Sequence, residues 1–519
     1  MTEDSSDKET RRDPLIECIG EFGRWQLLMT FLLSMVNLPC TFHLYAPTFL
    51  AAEPEASCSK PLGSRFDDGQ WQNLSQVFSS NGIRDICRIR NLDYSLSFSD
   101  LSLMQDNGTV PCESWDFEYS QFGTTIITEW NLVCDRSYLR QLAELLFLVG
   151  VAVGGFVSGL ISDRFGRKQT LMVSLLAQIL IGMAIAYAPW FPLYLALRTL
   201  LGFFCVSVVF SGFVLCMELV GGKWLTISGV SYGLPVPVAY IIISGLAYMI
   251  RDWRQLQLAI TLPSLAFLPL WWVFPESPRW LLAMRENEQA ITILKKAANF
   301  NGKQLPDNFD KIINQDIAIN GEEPPNVSVM DLFRTSYMRR LTSLLYVACF
   351  CAVIIYFGLV LNLANLGGDI YVNSVISGLV EFPAALICII ILLKMGRRWP
   401  TFLTAFIAGF ACLSTAIAVK GSWLYMTLVM VGRLSISATN MILKVFSAEL
   451  FPTAMRNMGV GSTTVPSGIS LLLVPYLWAL AGVFECMPLV VLGFLGIIGG
   501  GAVLFLPEPS GLADDMVQS

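Results

Sequence analysis

Long apolar segments alternate with short polar ones along almost the whole chain. Each apolar segment contains about 20 residues, and a helix of that length crosses the roughly 30 Å hydrocarbon core of a bilayer. The pattern therefore predicts an all-α membrane protein. Its twelve transmembrane helices are expected at residues 25–45, 139–161, 169–188, 192–212, 224–247, 255–274, 341–361, 371–394, 400–418, 423–446, 457–480 and 486–507.

Composition supports a polytopic membrane protein. The chain has 519 residues, of which 54% are hydrophobic and 14% charged, whereas soluble domains carry about 25% charged residues. The net charge of −6 gives no indication of a nucleic-acid partner. The first 24 residues are polar and lack the apolar core of a signal peptide, so we expect the first span to be a retained anchor.

The positions of lysine and arginine predict the orientation in the membrane. These residues collect in short cytoplasmic loops, and here they occur near the N-terminus, at 162–168 and at 394–398. An even number of spans then places both termini, 1–24 and 508–519, in the cytoplasm. We expect the membrane in question to be the plasma membrane.

Two long polar stretches divide the chain into domains. The stretch 46–138 should be a large extracellular loop between helices 1 and 2, and 275–340 should be cytoplasmic. They leave an N-terminal six-helix half at 25–274, which includes the extracellular loop, and a C-terminal half at 341–507.

The 46–138 loop has the features of an extracellular domain. Its four cysteines form an even set, which outside the cell indicates two disulfides with three connectivities open. It also contains two N-x-S/T sequons, the acceptors of N-linked glycans. The cysteines are Cys58, Cys87, Cys112 and Cys134, and the sequon asparagines are Asn73 and Asn107.

Three motifs occur twice in the chain, at nearly one offset. Each motif follows the corresponding span of the two halves, and its copies are 230, 231 and 232 positions apart. The pairs are Gly166 and Gly396, Glu218 and Glu449, and Glu276 and Glu508. Two six-helix halves that repeat in parallel are the architecture of major facilitator transporters, which open alternately to each side of the membrane.

Charged residues at the inner helix ends are predicted to control that alternation. Such contacts can hold inward-facing ends together in a partly dry interface and release them on hydration. The tendency of lysine and arginine to collect in cytoplasmic loops would explain the basic residues at these helix ends. It would not explain the acidic residues beside them. The candidate gating residues are Asp163, Arg164, Arg167, Lys168, Glu218, Gly396, Arg397, Arg398, Glu449 and Arg456. The Glu-x6-Arg pattern of the second half is broken in the first, where Leu225 stands opposite Glu218 and Lys223 is the substitute.

Several longer motifs resemble one family. They are "TTIITEWNLVC" (124–134), "DRFGRK" (163–168), "DWRQLQLAITLP" (252–263), "FPESPRWLL" (274–282), "VEFPAAL" (380–386) and "AELFPTAMRNMGVG" (448–461). Together they are similar to the organic cation, carnitine and organic anion transporters of solute carrier family 22. The resemblance covers residues 14–508 and implies a major facilitator fold and transport of small organic ions.

Two departures from that family bear on the substrate. Members commonly carry a charged residue in span eleven, where this chain has Gly468. A tryptophan that cation carriers often place in span four is replaced by Val209. The resemblance therefore implies a transporter of organic ions without fixing their charge.

Charged residues inside the predicted spans are candidates for the transport path, because such charges usually face a cavity or a partner. They are Glu144, Arg198, Glu381, Arg433 and Lys444. Glu381 is the deepest acid and would attract a substrate ammonium, with cation–π support from Tyr356 or Phe210. The alternative is a buried pair with Lys444 or Arg433. Arg198 and Arg433 are interpreted as mainly structural, and Lys444 as reaching the cytoplasmic interface.

Prolines in span five, and Pro466 beside Gly468 in span eleven, complete the predicted substrate site. Pro235 and Pro237 remove two backbone donors in span five, and a broken helix beside a cavity exposes groups that can bind substrate. Ordinary bending of a membrane helix is the alternative. The predicted substrate-binding residues are Glu381, Tyr356, Phe210, Tyr232, Tyr240 and Gly468.

Other functional classes find little support in the sequence. The chain lacks a G-x4-G-K-[ST] phosphate loop for ATP, and its one histidine, His43, leaves little for histidine-dependent catalysis. We expect no enzyme, cofactor or metal, and membrane lipid as the surroundings. The prediction is a plasma-membrane transporter of small organic cations or zwitterions. An organic anion exchanger, or a channel or non-transporting receptor, is the alternative, and the oligomeric state stays open.

Overall fold

The computed structural model describes most of the chain. The described residues are 20–60, 66–78, 84–92, 94, 96, 101, 108–119, 122–222, 224–303, 329–361, 369–419, 422–451, 456–482, 484 and 486–508. Asn107 and Lys223 lie outside them, as do both chain ends, much of the 275–340 loop and the side chain of Arg456.

The first span is a run of three consecutive helices. These are α1 (Arg24–Met35), α2 (Asn37–Tyr45) and α3 (Pro47–Leu50), which together make one apolar span over Arg24–Leu50. Pro47 opens α3, a position where the missing N–H costs no helical hydrogen bond. The span ends five residues beyond the 25–45 predicted from the sequence.

A small domain of short strands follows. Its elements are β1 (Ala56–Cys58), α4 (Asp68–Ser75), β2 (Val77–Phe78), β3 (Arg84–Asp85), β4 (Arg88–Arg90), β5 (Thr109–Pro111), β6 (Trp115–Phe117) and α5 (Ile126–Trp130). Its strands form three antiparallel pairs: β1 with β6, β2 with β3, and β4 with β5. Ser57 lies opposite Asp116, and Ile89 opposite Val110. Phe66, Trp71 and Leu74 form part of a separate small core.

Two disulfides staple this domain. Cys58 is joined to Cys112, and Cys87 is joined to Cys134. The structure therefore selects one of the three connectivities that the sequence left open. Because Cys134 begins the 3₁₀ turn Cys134–Arg136 just before the second span, the second bridge ties the domain to the membrane bundle.

The segment 122–130 at the end of this domain, here called the strap, is bonded to the start of the sixth span. The backbone N–H of Trp253 donates to Thr124 O at 3.0 Å, and the indole N–H of Trp253 donates to Glu129 Oε2 at 2.6 Å. Arg254 forms an ion pair with the same glutamate. The segment 122–130 therefore moves together with the N-terminal half.

The remaining helices of the N-terminal half, apart from the sixth span, follow the predicted spans closely. They are α6 (Tyr138–Phe165), α7 (Arg167–Ala186), α8 (Phe191–Glu218), α9 (Trp224–Ser231), α10 (Pro235–Met249) and α11 (Trp253–Thr261). The fifth span is broken between α9 and α10, where Pro235 and Pro237 occupy the first turn of α10. This break was predicted from those prolines.

The sixth span differs from a regular helix. α11 ends after nine residues, and the path continues as a 3₁₀ segment over Leu262–Trp271. Pro263 and Pro269 fall in this segment and lack the N–H groups that a regular α-helix needs. Within the described residues, eleven helices are long and apolar enough to be candidate spans, and this segment is the twelfth predicted crossing.

The connecting loop and the C-terminal half complete the chain. The loop contains α12 (Pro278–Ala283), α13 (Asn287–Phe300) and a 3₁₀ turn at Val329–Phe333. The half contains α14 (Ser336–Val360), α15 (Ile370–Lys394), α16 (Arg398–Ser414) with a 3₁₀ turn at Thr415–Ile417, α17 (Trp423–Leu450), α18 (Arg456–Ser462), α19 (Thr464–Leu477) with a 3₁₀ turn at Trp478–Gly482, and α20 (Met487–Leu504).

Small residues set the closest helix contacts within each half. A Cβ added to Gly150 of α6 would lie 2.0 Å from Thr199 O of α8, and one added to Gly409 of α16 would lie 2.8 Å from Gly493 O of α20. In lipid, where the hydrophobic effect does not drive helices together, such close backbone approach supplies much of the packing energy.

The two halves meet mainly along two helix pairs, α6 with α19 and α10 with α15. The shorter helix α9 also packs against α15 and α17. At the end nearest the loop domain, here called the outer end, aromatic rings of both halves meet in an outer aromatic cluster. Tyr371 of α15 stacks on Phe49 at 5.6 Å, meets Tyr248 edge-on at 5.5 Å, and lies 6.4 Å from Phe122 of the strap. The opposite end is called the inner end.

Candidate functional site

A buried ion pair lies where the two halves meet. Arg433 Nη2 of α17 is 2.8 Å from Glu381 Oε1 of α15, and the two side chains are 1% and 2% exposed. Asp369 caps α15 by accepting from the N–H groups of Tyr371 and Val372, so the helix starts eleven residues before Glu381 in a fixed register. The cap thereby sets the depth of the carboxylate.

Tyrosines from both halves surround this pair. The Tyr356 hydroxyl of α14 donates to Glu381 Oε1 at 3.0 Å, and the guanidinium of Arg433 lies 5.3 Å from the ring of Tyr240 and 5.8 Å from that of Tyr356. The ring of Tyr45 packs on Tyr240 at 4.6 Å. Since Tyr45 and Tyr240 belong to the N-terminal half, the central cluster formed by these five residues spans both halves.

A hydrogen bond between the halves lies one to two turns outward of this cluster. Ser244 of α10 donates to Ser374 of α15 at 2.6 Å, and both serines are buried. Together with the outer aromatic cluster, this contact closes the halves against each other between the central cluster and the outer end.

The partner of Glu381 is therefore Arg433, one of the two that the sequence offered. Lys444 lies eleven residues beyond Arg433 on the same helix and makes no described contact with Glu381. A paired carboxylate is not a bare negative charge, so any ammonium reaching it must compete with the guanidinium. The structure brings Glu381, Tyr356 and Tyr240 together, as predicted, and adds Arg433 and Tyr45.

The other predicted binding residues lie elsewhere. The Tyr232 hydroxyl donates to Val209 O at 3.0 Å, and its ring meets Phe213 at 5.5 Å, which holds it inside the N-terminal half. Phe210 faces Gly159 of α6. Gly468 faces Ala152 of α6 across the interface of the halves, where a Cβ would come within 3.3 Å.

The N-terminal half contains a second buried arginine with a different environment. Arg198 of α8 is 1% exposed, and its guanidinium lies 4.4 Å from the centroid of the Phe147 ring. Among the described residues its Nη1 atom has no hydrogen-bond partner, and neither ring nitrogen of the fully buried His43 has one. This arginine lies on an aromatic face, and the carboxylate of Glu144 on α6 attracts it without a direct ion pair among the described contacts.

The inner end of the N-terminal half carries a charge cluster centred on Arg167. Its guanidinium contacts Glu218 through Nε at 3.2 Å and Asp163 through Nη2 at 2.8 Å. Glu276 accepts the backbone N–H groups of Arg167 and Lys168 at 2.9 and 3.0 Å. Those N–H groups open α7, where a carboxylate is favoured by the helix dipole. Gly166, with φ of +100°, makes the turn that a side chain would strain.

The C-terminal half repeats this cluster. Arg397 contacts Glu449 through Nε at 3.0 Å, and Glu508 accepts the backbone N–H groups of Arg397 and of Arg398, the latter at 3.1 Å. Arg398 also donates to Leu504 O. The motif repeat found in the sequence therefore corresponds to one arrangement built twice.

The predicted gating residues are thus brought together, but within each half. Every partner described for Arg167 belongs to the N-terminal half, and every partner described for Arg397 belongs to the C-terminal half. Arg164 lies over the Phe165 ring. In this state each cluster ties three helix ends of one half into a rigid unit.

Comparison with known proteins agrees with this architecture. The model of the family described as sugar (and other) transporter matches residues 123–512. The inward open xylose transporter XylE of E. coli superposes with a TM-score of 0.63 at 14% identity, covering 93% of this chain and 97% of that one. The chain belongs to the sugar (and other) transporter family. It is a multi-pass membrane transporter with the major facilitator fold, as the repeat predicted.

Curated relatives define the branch more closely. The organic cation transporter protein of Drosophila melanogaster is 34% identical, and the alignment covers 96% of this chain and 92% of the relative. Solute carrier family 22 member 3 of Rattus norvegicus is 32% identical, with coverages of 96% and 94%. Human organic cation/carnitine transporter 2 is 34% identical, with 96% and 92%. The predicted resemblance to solute carrier family 22 is confirmed, and these relatives are transporters rather than enzymes.

Proposed function

We propose that this transporter carries small organic cations or zwitterions across the plasma membrane by alternating access. The observation that supports this most is the central cluster, in which one carboxylate and three tyrosines from both halves meet at the middle of the bundle. Relatives named as organic cation and carnitine transporters point the same way.

The chemistry of the central cluster suits an ammonium group. Tyrosine faces attract cations, and here the rings of Tyr240 and Tyr356 already hold the guanidinium of Arg433. A substrate ammonium would take over part of that role and share Glu381 with the arginine. Since Gly468 supplies no charge from span eleven, Glu381 is the acid we expect to carry the selection.

The test replaces Glu381 with glutamine, which keeps the shape and removes the charge. We expect affinity for tetraethylammonium to fall about tenfold, equivalent to about 1.4 kcal/mol, while an uncharged analogue is unaffected. The matched control is Glu53→Gln, which removes a carboxylate that lies outside the membrane-spanning helices and pairs with Arg140. Uptake is measured in vesicles after correction for surface expression, and trans-stimulation by preloaded substrate separates a carrier from a channel.

Unchanged cation affinity in a well-expressed Glu381→Gln variant would remove this residue from the binding site and favour the organic anion exchanger instead. Failure of the variant to reach the surface, with recovery in the charge-swapped Glu381→Arg/Arg433→Glu double variant, would assign the pair a purely structural role.

We also propose that the loop domain is extracellular and glycosylated, with both chain termini in the cytoplasm. Asn73 is exposed on α4, and the two disulfides suit an oxidising compartment. Glycosidase treatment should shift the mobility of the wild type and leave the Asn73→Gln/Asn107→Gln double variant unshifted. A remaining shift would contradict the assignment.

The two inner charge clusters are proposed to control the conformational change. In this interpretation Arg167 and Arg397 keep the inner end of each half rigid while the halves rock against each other. Their contacts are partly exposed, so water can replace them at modest cost when the inner end rearranges.

A further inference from the structure

The inner-end segment of α17 carries a positive charge that the central cluster does not use. The side chain of Lys444 is exposed although it lies within a candidate membrane span. Among the described residues its ammonium makes no ion pair or hydrogen bond. A lysine in such a place is costly and usually serves a function or pairs with an acid.

The direction in which Lys444 points follows from its neighbours on α17. Asn440 donates to Ala352 O of α14, and Ile442 packs with Cys388 of α15. With 3.6 residues per turn, Lys444 falls on the strip of α17 between these two neighbouring helices.

Arg433 lies on that same strip, because eleven residues make almost three full turns. Arg433 faces Tyr240 of the other half, so this strip faces the interface between the halves. Lys444 therefore lies beside the transport path, about 16 Å nearer the inner end than Arg433.

The positive charges on the strip of α17 that carries Arg433 and Lys444 are not all balanced by acidic residues. Arg433 is balanced by Glu381 at 2.8 Å, whereas Lys444 has no acidic partner within the described part of the chain. Arg433 Nη1 also lacks an acceptor there. The strip thus offers surplus donors and one surplus positive charge, which would repel a simple amine and attract a carboxylate.

We propose that Lys444 forms a carboxylate subsite in the inner part of the path, so that the preferred substrates carry a carboxylate as well as an ammonium group. This inference rests on the proposed transport function and narrows its substrate class to zwitterions. Lys444 acts after the substrate has left the central cluster, when its carboxylate meets the lysine on the way to the inner end.

The test uses two probes that share a quaternary ammonium and differ in the carboxylate: carnitine, which has one, and choline, which lacks it. The full chain is reconstituted in vesicles, and KM is measured separately from each side. In Lys444→Gln we expect the KM of carnitine from the inner side to rise at least tenfold, with a smaller change from the outer side. The KM of choline should stay constant or fall.

Two variants serve as controls. Lys444→Arg keeps the charge and should retain the affinity for carnitine. Lys394→Gln removes an exposed lysine from the inner end of α15, on the side of that helix away from Glu381, and should change neither KM. A purely structural role of Lys444 would lower transport of both probes equally and from both sides.

Three outcomes overturn the inference. One is an unchanged ratio of carnitine to choline affinity in Lys444→Gln. Another is a wild type that transports choline but not carnitine, which leaves the proposed cation transport intact. The third is a wild type that transports no organic ammonium compound at all, which overturns the proposed function and the subsite with it.

Discussion

The two buried arginines, Arg198 and Arg433, are held in different ways. Arg433 pairs with a carboxylate and two tyrosine rings at the interface of the halves, whereas Arg198 lies on the face of Phe147 inside one half. At the inner ends the two halves are instead almost alike, with an arginine, a helix-end glutamate and a capping glutamate each. The repeat is therefore kept at the inner ends of the two halves and is lost around the two buried arginines.

The largest effect is expected at the pair itself. Arg433→Met leaves Glu381 buried without its partner, which should destabilise the protein by about 3–5 kcal/mol. The Glu381→Met/Arg433→Met double variant should recover most of this loss, because no uncompensated charge remains. Thermal unfolding in detergent measures both, and equal melting temperatures of Arg433→Met and wild type would contradict the prediction.

The inner clusters should respond equally in both halves. Arg167→Ala and Arg397→Ala each lose the contact to their glutamate, and we expect turnover to fall about tenfold, which corresponds to about 1.4 kcal/mol in the barrier. KM should change little, because neither residue touches substrate in the proposed mechanism. Uptake rates at saturating substrate, corrected for surface expression, test this. Normal turnover in both variants would leave these arginines only a topological role.

A smaller effect is expected at the capping glutamates. Glu276→Gln and Glu508→Gln weaken the acceptor at the start of α7 and α16, at a cost of about 1 kcal/mol each. Hydrogen exchange should speed up at the amides of Arg167 and Lys168 in the first variant only, and at those of Arg397 and Arg398 in the second only. Each variant thus controls for the other, and exchange that rises in both halves together would disprove independent clusters.

The smallest effect is expected at Arg198. Arg198→Met replaces a charge that makes no direct ion pair among the described contacts, although the carboxylate of Glu144 lies near enough to attract it. Exchange of such a buried charge for an apolar chain of similar length is often neutral or stabilising. We expect the free energy of unfolding to change by less than about 1 kcal/mol, since a loss of the cation–π contact is offset by the lower cost of burial. A destabilisation as large as that of Arg433→Met would show that the two arginines are equivalent.

The sequence predicted the helices and the repeat of the inner-end motifs because both depend on local patterns, whereas the pairing of the charged residues within each half, rather than between the halves, came from the structure. Apolar length defines the spans, and a shared offset of 230 to 232 residues paired Glu276 with Glu508 before any contact was known. Pro263 and Pro269 also carried the signal for the irregular sixth span, which the sequence interpretation overlooked.

The central pairing could not be predicted in the same way. Both Arg433 and Lys444 lie on the same strip of α17, because they are eleven residues apart, and only the crossing of α17 with α15 decides which of them reaches Glu381. Tyr45 was missed because the first span was expected to end there, whereas the helices continue to Leu50. The disulfide connectivity likewise depends on how the loop folds, which spacing alone leaves open.

The strap and the Cys87–Cys134 bridge make the loop domain a rigid extension of the N-terminal half. An antibody fragment bound to that domain would therefore report the tilt of the half directly, as an angle against the detergent micelle in electron micrographs. Because Phe122 of the strap also contacts Tyr371 of the other half, a fragment that shifts the strap would separate the rings of the outer aromatic cluster. The same reagent would then serve as both a marker and a lever for opening toward the outside.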